Sequence, residues 1–188
     1  MLDRMQLDYI DLLYIHQPVG DFVGAWKDME KAVKMGKVRA LGISNFDAND
    51  EVWNTIMQAA TIKPQVLQME CHPYAQRLEM RKKAASEGIQ VECWFPLGGA
   101  MSNGALFKDP VIKKIAEAHG KTPAQVILRW HIQEGFSVIP GASNPDYIKE
   151  NIQIFDFQLT DDEMQQMRSL NKEKRFFNAT LEDVEKMV

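Results

Sequence analysis

The sequence predicts a parallel α/β fold, on three observations. Short apolar, strand-like runs alternate with helical patterns five times along the chain. The runs are near-continuously apolar, as strands covered on both faces are. Polar and glycine-rich residues collect at the carboxyl end of every run: His16, Ser44-Asn45, Gln68 with Glu70 and His72, Trp94 with the turn after it, and the stretch from Gly141 to Asn151. In parallel α/β folds that edge is where loops converge on a ligand.

The elements follow in order. Tyr9 to Ile15 is the first strand, ended by His16-Gln17-Pro18. A helix is expected from about Asp21 to Met35, with Phe22, Trp26, Met29 and Val33 at spacings of three and four, and Gly36 stops it. Val38 to Ile43 is the second strand, leaving through Ser44-Asn45-Phe46 before a helix around Asn49 to Ala60. Pro64 introduces the third strand, Val66 to Cys71, ended by His72-Pro73-Tyr74. Gln76 to Ser86 reads as a helix closed by Gly88, and Ile89 to Trp94 as the fourth strand, ending at Pro96-Leu97-Gly98-Gly99. Two helices fill Asp109 to Gln133, the second opening with Thr122 as cap and Pro123 at its first position. The fifth strand, Phe136 to Ile139, leaves through Pro140-Gly141-Ala142-Ser143 into a short helix from Pro145 to Ile152. Thr160-Asp161-Asp162-Glu163 is a capping box opening a helix to about Leu170, and the tail ends in a helical segment from Leu181 to Met187.

Composition narrows the function. The 188 residues are 45% hydrophobic and 26% charged, ordinary for a globular chain and enough to bury a core without disulfides or metals. The formal charge is −4 and no basic stripe appears, which argues against a nucleic-acid partner; Arg81-Lys82-Lys83 reads as a solvated helix face. Cys71 and Cys93 lie in apolar strand-like runs and read as reduced core thiols. The first residues lack a signal-peptide pattern and no run approaches 18 apolar residues, so no membrane span and a cytosolic location are expected. No linker divides the chain, which reads as one domain over 1–188 with a helix and tail from about 171 to 188.

The chemistry-bearing residues exclude some sites and leave the architecture open. No Gly-x-Gly-x-x-Gly follows a strand and no Walker pattern appears, so a Rossmann site is not expected. Glu70 and His72 share a strand face but are too few to hold a metal, and no metal site is expected. Gly141-Ala142-Ser143-Asn144-Pro145 leads a strand into a helix, offering backbone amides and a positive helix end to a phosphate. An open doubly wound sheet and a (β/α) barrel both fit this pattern.

Several of these segments carry a resemblance. Leu7 to Pro18, Gly42-Ile43-Ser44-Asn45-Phe46, Gln68 to Tyr74, Pro96-Leu97-Gly98, Val138-Ile139-Pro140 and Ile148 to Ile152 resemble, in order, the strand-end motifs of the aldo-keto reductase family. The resemblance implies a parallel (β/α)8 TIM-barrel-type fold, present here as about five βα units, and reduction of aldehydes and ketones by a nicotinamide cofactor. By position His16 matches the catalytic histidine that orients the substrate carbonyl. An imidazole suits this role because it hydrogen-bonds a polarised carbonyl without adding net charge. Ser44, Asn45 and Gln68 match the groups that hold the nicotinamide carboxamide, and Trp94 the aromatic that stacks on its ring. Leu97, Ser143 and Asn144 fall on the cofactor loops, and Glu150 and Asn151 match the pair contacting adenine.

The resemblance also has gaps. Gly141-Ala142 and Tyr147 stand where the family often has the cations that grip the 2′-phosphate of NADP, leaving Lys149 in the segment, so NADPH and NADH both remain candidates. The loop from Gly98 to Asn103 lacks the acid of the family's cofactor-closing belt. The family's remaining catalytic residues, an Asp, a Tyr and a Lys, lie on strands ahead of residue 1. A barrel takes about 250 residues and eight strands. A chain with five is expected to be inactive alone and to leave open edges that invite association with another copy. A non-catalytic cofactor-binding or interaction protein is the alternative. Tyr14 is expected one core layer below His16, and Arg175-Phe176-Phe177 either lines the pocket or packs in the core.

Overall fold

The computed structural model describes residues 2–186, which divide into two compact units that interleave in sequence. The first takes 2–69, 80–91 and 179–186; the second takes 70–79 and 92–178.

In the first unit the chain runs α1 (Leu2–Met5), β1 (Ile10–Ile15), α2 (Phe22–Lys34), β2 (Val38–Ser44), α3 (Asp50–Ala59) and β3 (Val66–Glu70), with most of α4 (Leu78–Ser86) following. Among the described elements of this unit, α1 has no counterpart in the expected ones. The strands pair in parallel, from Ile10 opposite Val38 to Ile15 opposite Ile43, and from Gly42 opposite Val66 to Ser44 opposite Gln68. Parallel pairing needs a crossover between strands, and α2 and α3 supply it. Asp21 caps α2 by accepting from the Gly24 amide at 2.8 Å, and Asn49 caps α3 by accepting from Val52 at 3.0 Å. Leu41, Ile43 and Leu67 of the strands and Trp26 and Ile56 of the helices are fully buried. Gly42 is required where it stands: a Cβ there would lie 2.4 Å from Tyr14 Cε1, so β2 admits the half-buried tyrosine ring only through glycine.

A buried acid fixes α2 to the loop after α3. Glu30 accepts from the backbone amides of Thr61 at 2.6 Å and Ile62 at 2.9 Å, and from Lys27 at 3.3 Å. Lys27 also reaches the Ala59 carbonyl, and Trp26 donates to the Ile62 carbonyl at 3.1 Å. Burial pushes the Glu30 carboxyl up, but the Ile62 and Thr61 amides and Lys27 outweigh it and hold it below the ordinary carboxylate value. The basic cluster of α4 is solvated only in part. Lys82 is exposed, whereas Lys83 pairs with Asp50 at 2.7 Å and lies 5.1 Å from the Trp53 ring centroid, so its stem covers α3.

The second unit takes up the end of β4 (Gln90–Trp94), a single 3-10 turn at Ala100–Ser102, α5 (Ala105–Lys108), α6 (Pro110–His119), α7 (Pro123–Gln133), β5 (Ser137–Val138), α8 (Pro145–Ile152) and α9 (Asp161–Ser169). β4 and β5 pair in parallel, Glu92 opposite Ser137 and Cys93 opposite Val138. β5 is shorter than the expected Phe136 to Ile139, because the Phe136 amide is already donated to the His131 carbonyl that ends α7. Thr122 and Gln125 form a reciprocal capping box on α7, and Thr160 and Glu163 another on α9. Ile112, Ile127, Trp130 and Met167 lead a core in which these helices interlock. The last helix, α10 (Leu181–Glu185), matches the expected segment, whose end at Met187 lies outside the described residues. No described helix is long and apolar enough to cross a membrane.

Replacing Glu30 by Ala strips two loop amides of their buried acceptor and is expected to cost about 2 kcal/mol in urea unfolding followed by circular dichroism. Lys31→Ala, which removes an exposed pair with Asp28, is expected to leave the unfolding midpoint unchanged.

Candidate active site

The carboxyl ends of β1, β2 and β3 bring four of the expected residues into one hydrogen-bonded group. His16 is exposed just after β1, and Ser44 is buried at the end of β2. The Ser44 hydroxyl donates to Gln68 Oε1 at 3.4 Å. Asn45 Nδ2 donates to Ser44 Oγ and to the His16 carbonyl, both at 3.2 Å, while its own amide donates to the Gln68 carbonyl at 3.0 Å. Asn45 holds a φ of 64°, a left-handed conformation that asparagine tolerates better than most residues. One hydroxyl and two carboxamides fixed by each other present both donors and acceptors, the combination a ligand amide needs.

In the second unit Trp94 ends β4, half-buried, with its ring edge-on to Phe95 at 4.7 Å and to Phe177 at 5.5 Å. The turn beyond it is tight. Gly98 has a φ of 81°, and a Cβ there would come within 2.7 Å of Ser102 Cβ, so only glycine closes this loop. A cavity of about 510 Å³ is lined by Leu97, Gly141, Ala142, Tyr147, Glu150 and Asn151, among others. Glu150 Oε1 accepts from the Thr122 hydroxyl, which fixes the carboxylate at the cavity wall. Of the expected cofactor residues, Leu97, Glu150 and Asn151 line this cavity and Ser143 and Asn144 do not. Both of these are exposed, and the Asn144 side chain is spent capping α8 through the Asp146 amide at 2.9 Å.

Glu70 was expected as a strand residue facing the same way as His72. It is the anchor of the tail. Fully buried, it accepts from His72 Nε2 at 3.2 Å, from Arg175 Nε at 2.8 Å and from the Phe176 amide at 2.6 Å. Burial raises its pKa, but the His72 and Arg175 bonds and the Phe176 amide outweigh that and hold it at about 2, against an ordinary 4.5. Phe176 stacks on His72 with centroids 4.5 Å apart, so packing is its role; Phe177 is the residue that meets Trp94. Nothing local in the sequence signals this clamp, because its partners lie more than a hundred residues apart. Tyr74 hydrogen-bonds Asp109 at 2.7 Å, and burial together with that carboxylate pushes its phenol up to about 12. Lys172 lies over the face of the Tyr74 ring, 3.5 Å from its centroid.

Comparison with known proteins identifies the family and the type of fold. The Aldo/keto reductase family matches residues 1–172. Glyoxal reductase from Bacillus subtilis is 42% identical over 175 residues, which cover 93% of this chain and 61% of that protein. An aldo-keto reductase from a Medee basin deep-sea metagenome superposes with a TM-score of 0.88 at 34% identity, over 94% of this chain and 65% of its own. A Gox0644 variant solved in complex with NADPH superposes at 0.87 with 36% identity, over 96% and 66%. The chain belongs to the aldo/keto reductase family, and its fold is of the (β/α)-barrel type. It spans about 61% of the length of the curated relatives it matches.

The Glu70 clamp titrates with a definite sign. Its carboxyl is depressed in the folded state, so its contribution to stability is complete above pH 4.5 and is lost as pH falls toward about 2. Glu70→Gln is expected to flatten the pH dependence of the thermal midpoint across that window. Trypsin cleavage at Lys174 or Arg175 should become faster in the variant at neutral pH.

Proposed function

We propose that this chain carries the cofactor platform and the carbonyl-orienting histidine of an NAD(P)H-dependent reductase of small aldehydes or ketones. The observation that carries this reading is the group of His16, Ser44, Asn45 and Gln68, hydrogen-bonded across three strand ends in a member of this family. The residues fit a dinucleotide. A hydroxyl and two amides match the donors and acceptor of a carboxamide, and the cavity beside Glu150 and Asn151 has the size of a small-molecule site. Bound to this platform, a dihydronicotinamide supplies a hydride to the carbonyl carbon. An imidazole N–H of His16 donates to the carbonyl oxygen and draws electron density from that carbon. Ser44, Asn45 and Gln68 would fix the carboxamide through their donors and acceptors; in the second unit Trp94, braced by Phe95 and Phe177, offers a flat indole of the kind that stacks on a ring.

The alkoxide formed by hydride addition also needs a proton. Tyr74 is unsuited to give it, because its hydroxyl is committed to Asp109 and its pKa is raised. Turnover therefore calls for a proton donor other than Tyr74, and on this reading the isolated chain binds cofactor without turnover. Cofactor discrimination is weak, since Gly141, Ala142 and Tyr147 line the cavity and Lys149 lines a different one. A second reading, association with another copy, is favoured by an exposed apolar patch. Ile148, Ile152 and Phe155 are 55%, 65% and 63% exposed around a cavity of about 750 Å³.

Titrating the 188-residue chain with NADPH and with NADH is expected to give saturable tryptophan quenching, with the two affinities within about tenfold. Trp94→Ala and Gln68→Ala should each weaken binding about tenfold, and Tyr147→Arg should shift preference toward NADPH. A folded chain showing no saturable quenching rejects the platform. Carbonyl reduction by the chain alone at ordinary enzymic rates rejects its dependence on further residues. Sedimentation as a monomer at all accessible concentrations rejects association.

A further inference from the structure

Three soft donors meet in the core of the second unit, outside the proposed site. Cys71 follows β3, Cys93 lies on β4 and His131 on α7, and all three are fully buried. Their sulfurs and a ring nitrogen all lie within 4.8 Å of one another. Cys71 and Cys93 read as core thiols from sequence because they are only two and lie in apolar, strand-like runs.

The ring of His131 supplies a second observation. Nδ1 is 2.8 Å from the Ile127 carbonyl, and Nε2 is 3.1 Å from the Cys71 carbonyl. A neutral imidazole has one N–H, so only one of these contacts is a hydrogen bond. The shorter, one helical turn back, is the place for the proton. With the proton there, the Nε2 lone pair faces the Cys71 carbonyl oxygen, a repulsion that a cation between the two atoms turns into attraction. An Nδ1–H held by a backbone carbonyl is also the support that metal-bound histidines ordinarily have.

We propose that Cys71, Cys93 and His131 form a structural site for a zinc-class divalent ion, with the Cys71 carbonyl as a fourth donor. Zinc–sulfur bonds of about 2.3 Å and zinc–nitrogen bonds of about 2.0 Å put tetrahedral donors roughly 3.5–3.8 Å apart, so donors now within 4.8 Å of one another close by at most about 1.3 Å. Binding converts both thiols to thiolates and releases two protons to solvent, and two thiolates cancel the charge of a divalent ion, so the buried site is neutral. Cys71 gives up its weak contact with the Gln76 carbonyl, 3.9 Å away. Because every donor is buried, the ion enters as the unit folds, and it ties α7 to β4 and to the residue after β3.

The test is to refold the reduced 188-residue chain with and without Zn2+, remove excess ion by gel filtration and measure bound metal by mass spectrometry. About one zinc per chain is expected, with a thermal midpoint several degrees above that of the chain refolded in chelator. Cys93→Ala and His131→Gln should each lower bound zinc at least tenfold. Should His131→Gln fail to fold, Cys93→Ala, which removes only a sulfur, still decides the matter. Co2+ in place of Zn2+ should give an intense thiolate charge-transfer band that Cys93→Ala weakens. A folded wild-type chain that retains far less than one zinc overturns the site, as does a Cys93→Ala chain that retains zinc with an unchanged cobalt spectrum.

Discussion

Parallel strand pairing is the constraint from which the rest of the chain's organisation follows. A strand cannot turn back on itself and still run parallel to its neighbour, so α2 and α3 must carry the chain back between β1, β2 and β3. Every one of those strands then ends at the same edge. His16, Ser44, Asn45 and Gln68 become neighbours only because the register places Ser44 opposite Gln68 and Ile15 opposite Ile43. The apolar interior and the polar edge are thus consequences of one hydrogen-bonding pattern. Gly42, which makes room for Tyr14, shows how tightly the layer beneath the edge is filled.

Two buried carboxylates organise what the strands leave undone. Glu30 satisfies loop amides that no helix or strand reaches, and Glu70 does the same for the tail at Phe176 while pairing with Arg175. Each stays ionised in the core because several donors converge on it and outweigh the cost of burial. A single partner would not suffice at such a depth. In the second unit this clamp sets where Phe177 meets Trp94, so a charge in the core determines the aromatic surroundings of a proposed binding surface.

The strand ends were legible because the same residues that mark them, His16, Ser44-Asn45 and Gln68, break an apolar run. The caps at Thr122 and Thr160 were legible because capping is local, decided within four residues. What escaped was set by contacts between distant segments. The role of Glu70 depends on residues 105–107 positions further on. The shortening of β5 by the Phe136 amide is instead local, a choice between two acceptable acceptors for one donor. Sequence names the candidates in such cases without ranking them.

By itself the sequence determined the class of fold, the order of its elements and the family, because these rest on periodicity and on ordered strand-end motifs. Tertiary structure alone decided which polar groups are spent on the protein and which line a cavity. It tied Ser44, Asn45 and Gln68 to one another, committed the Tyr74 hydroxyl to Asp109, and brought Cys71, Cys93 and His131 within 4.8 Å. The physical reason is the same throughout. A side chain's chemistry is fixed by its identity, but its protonation and its partners are fixed by the groups the fold brings against it, and those come from elsewhere in the chain.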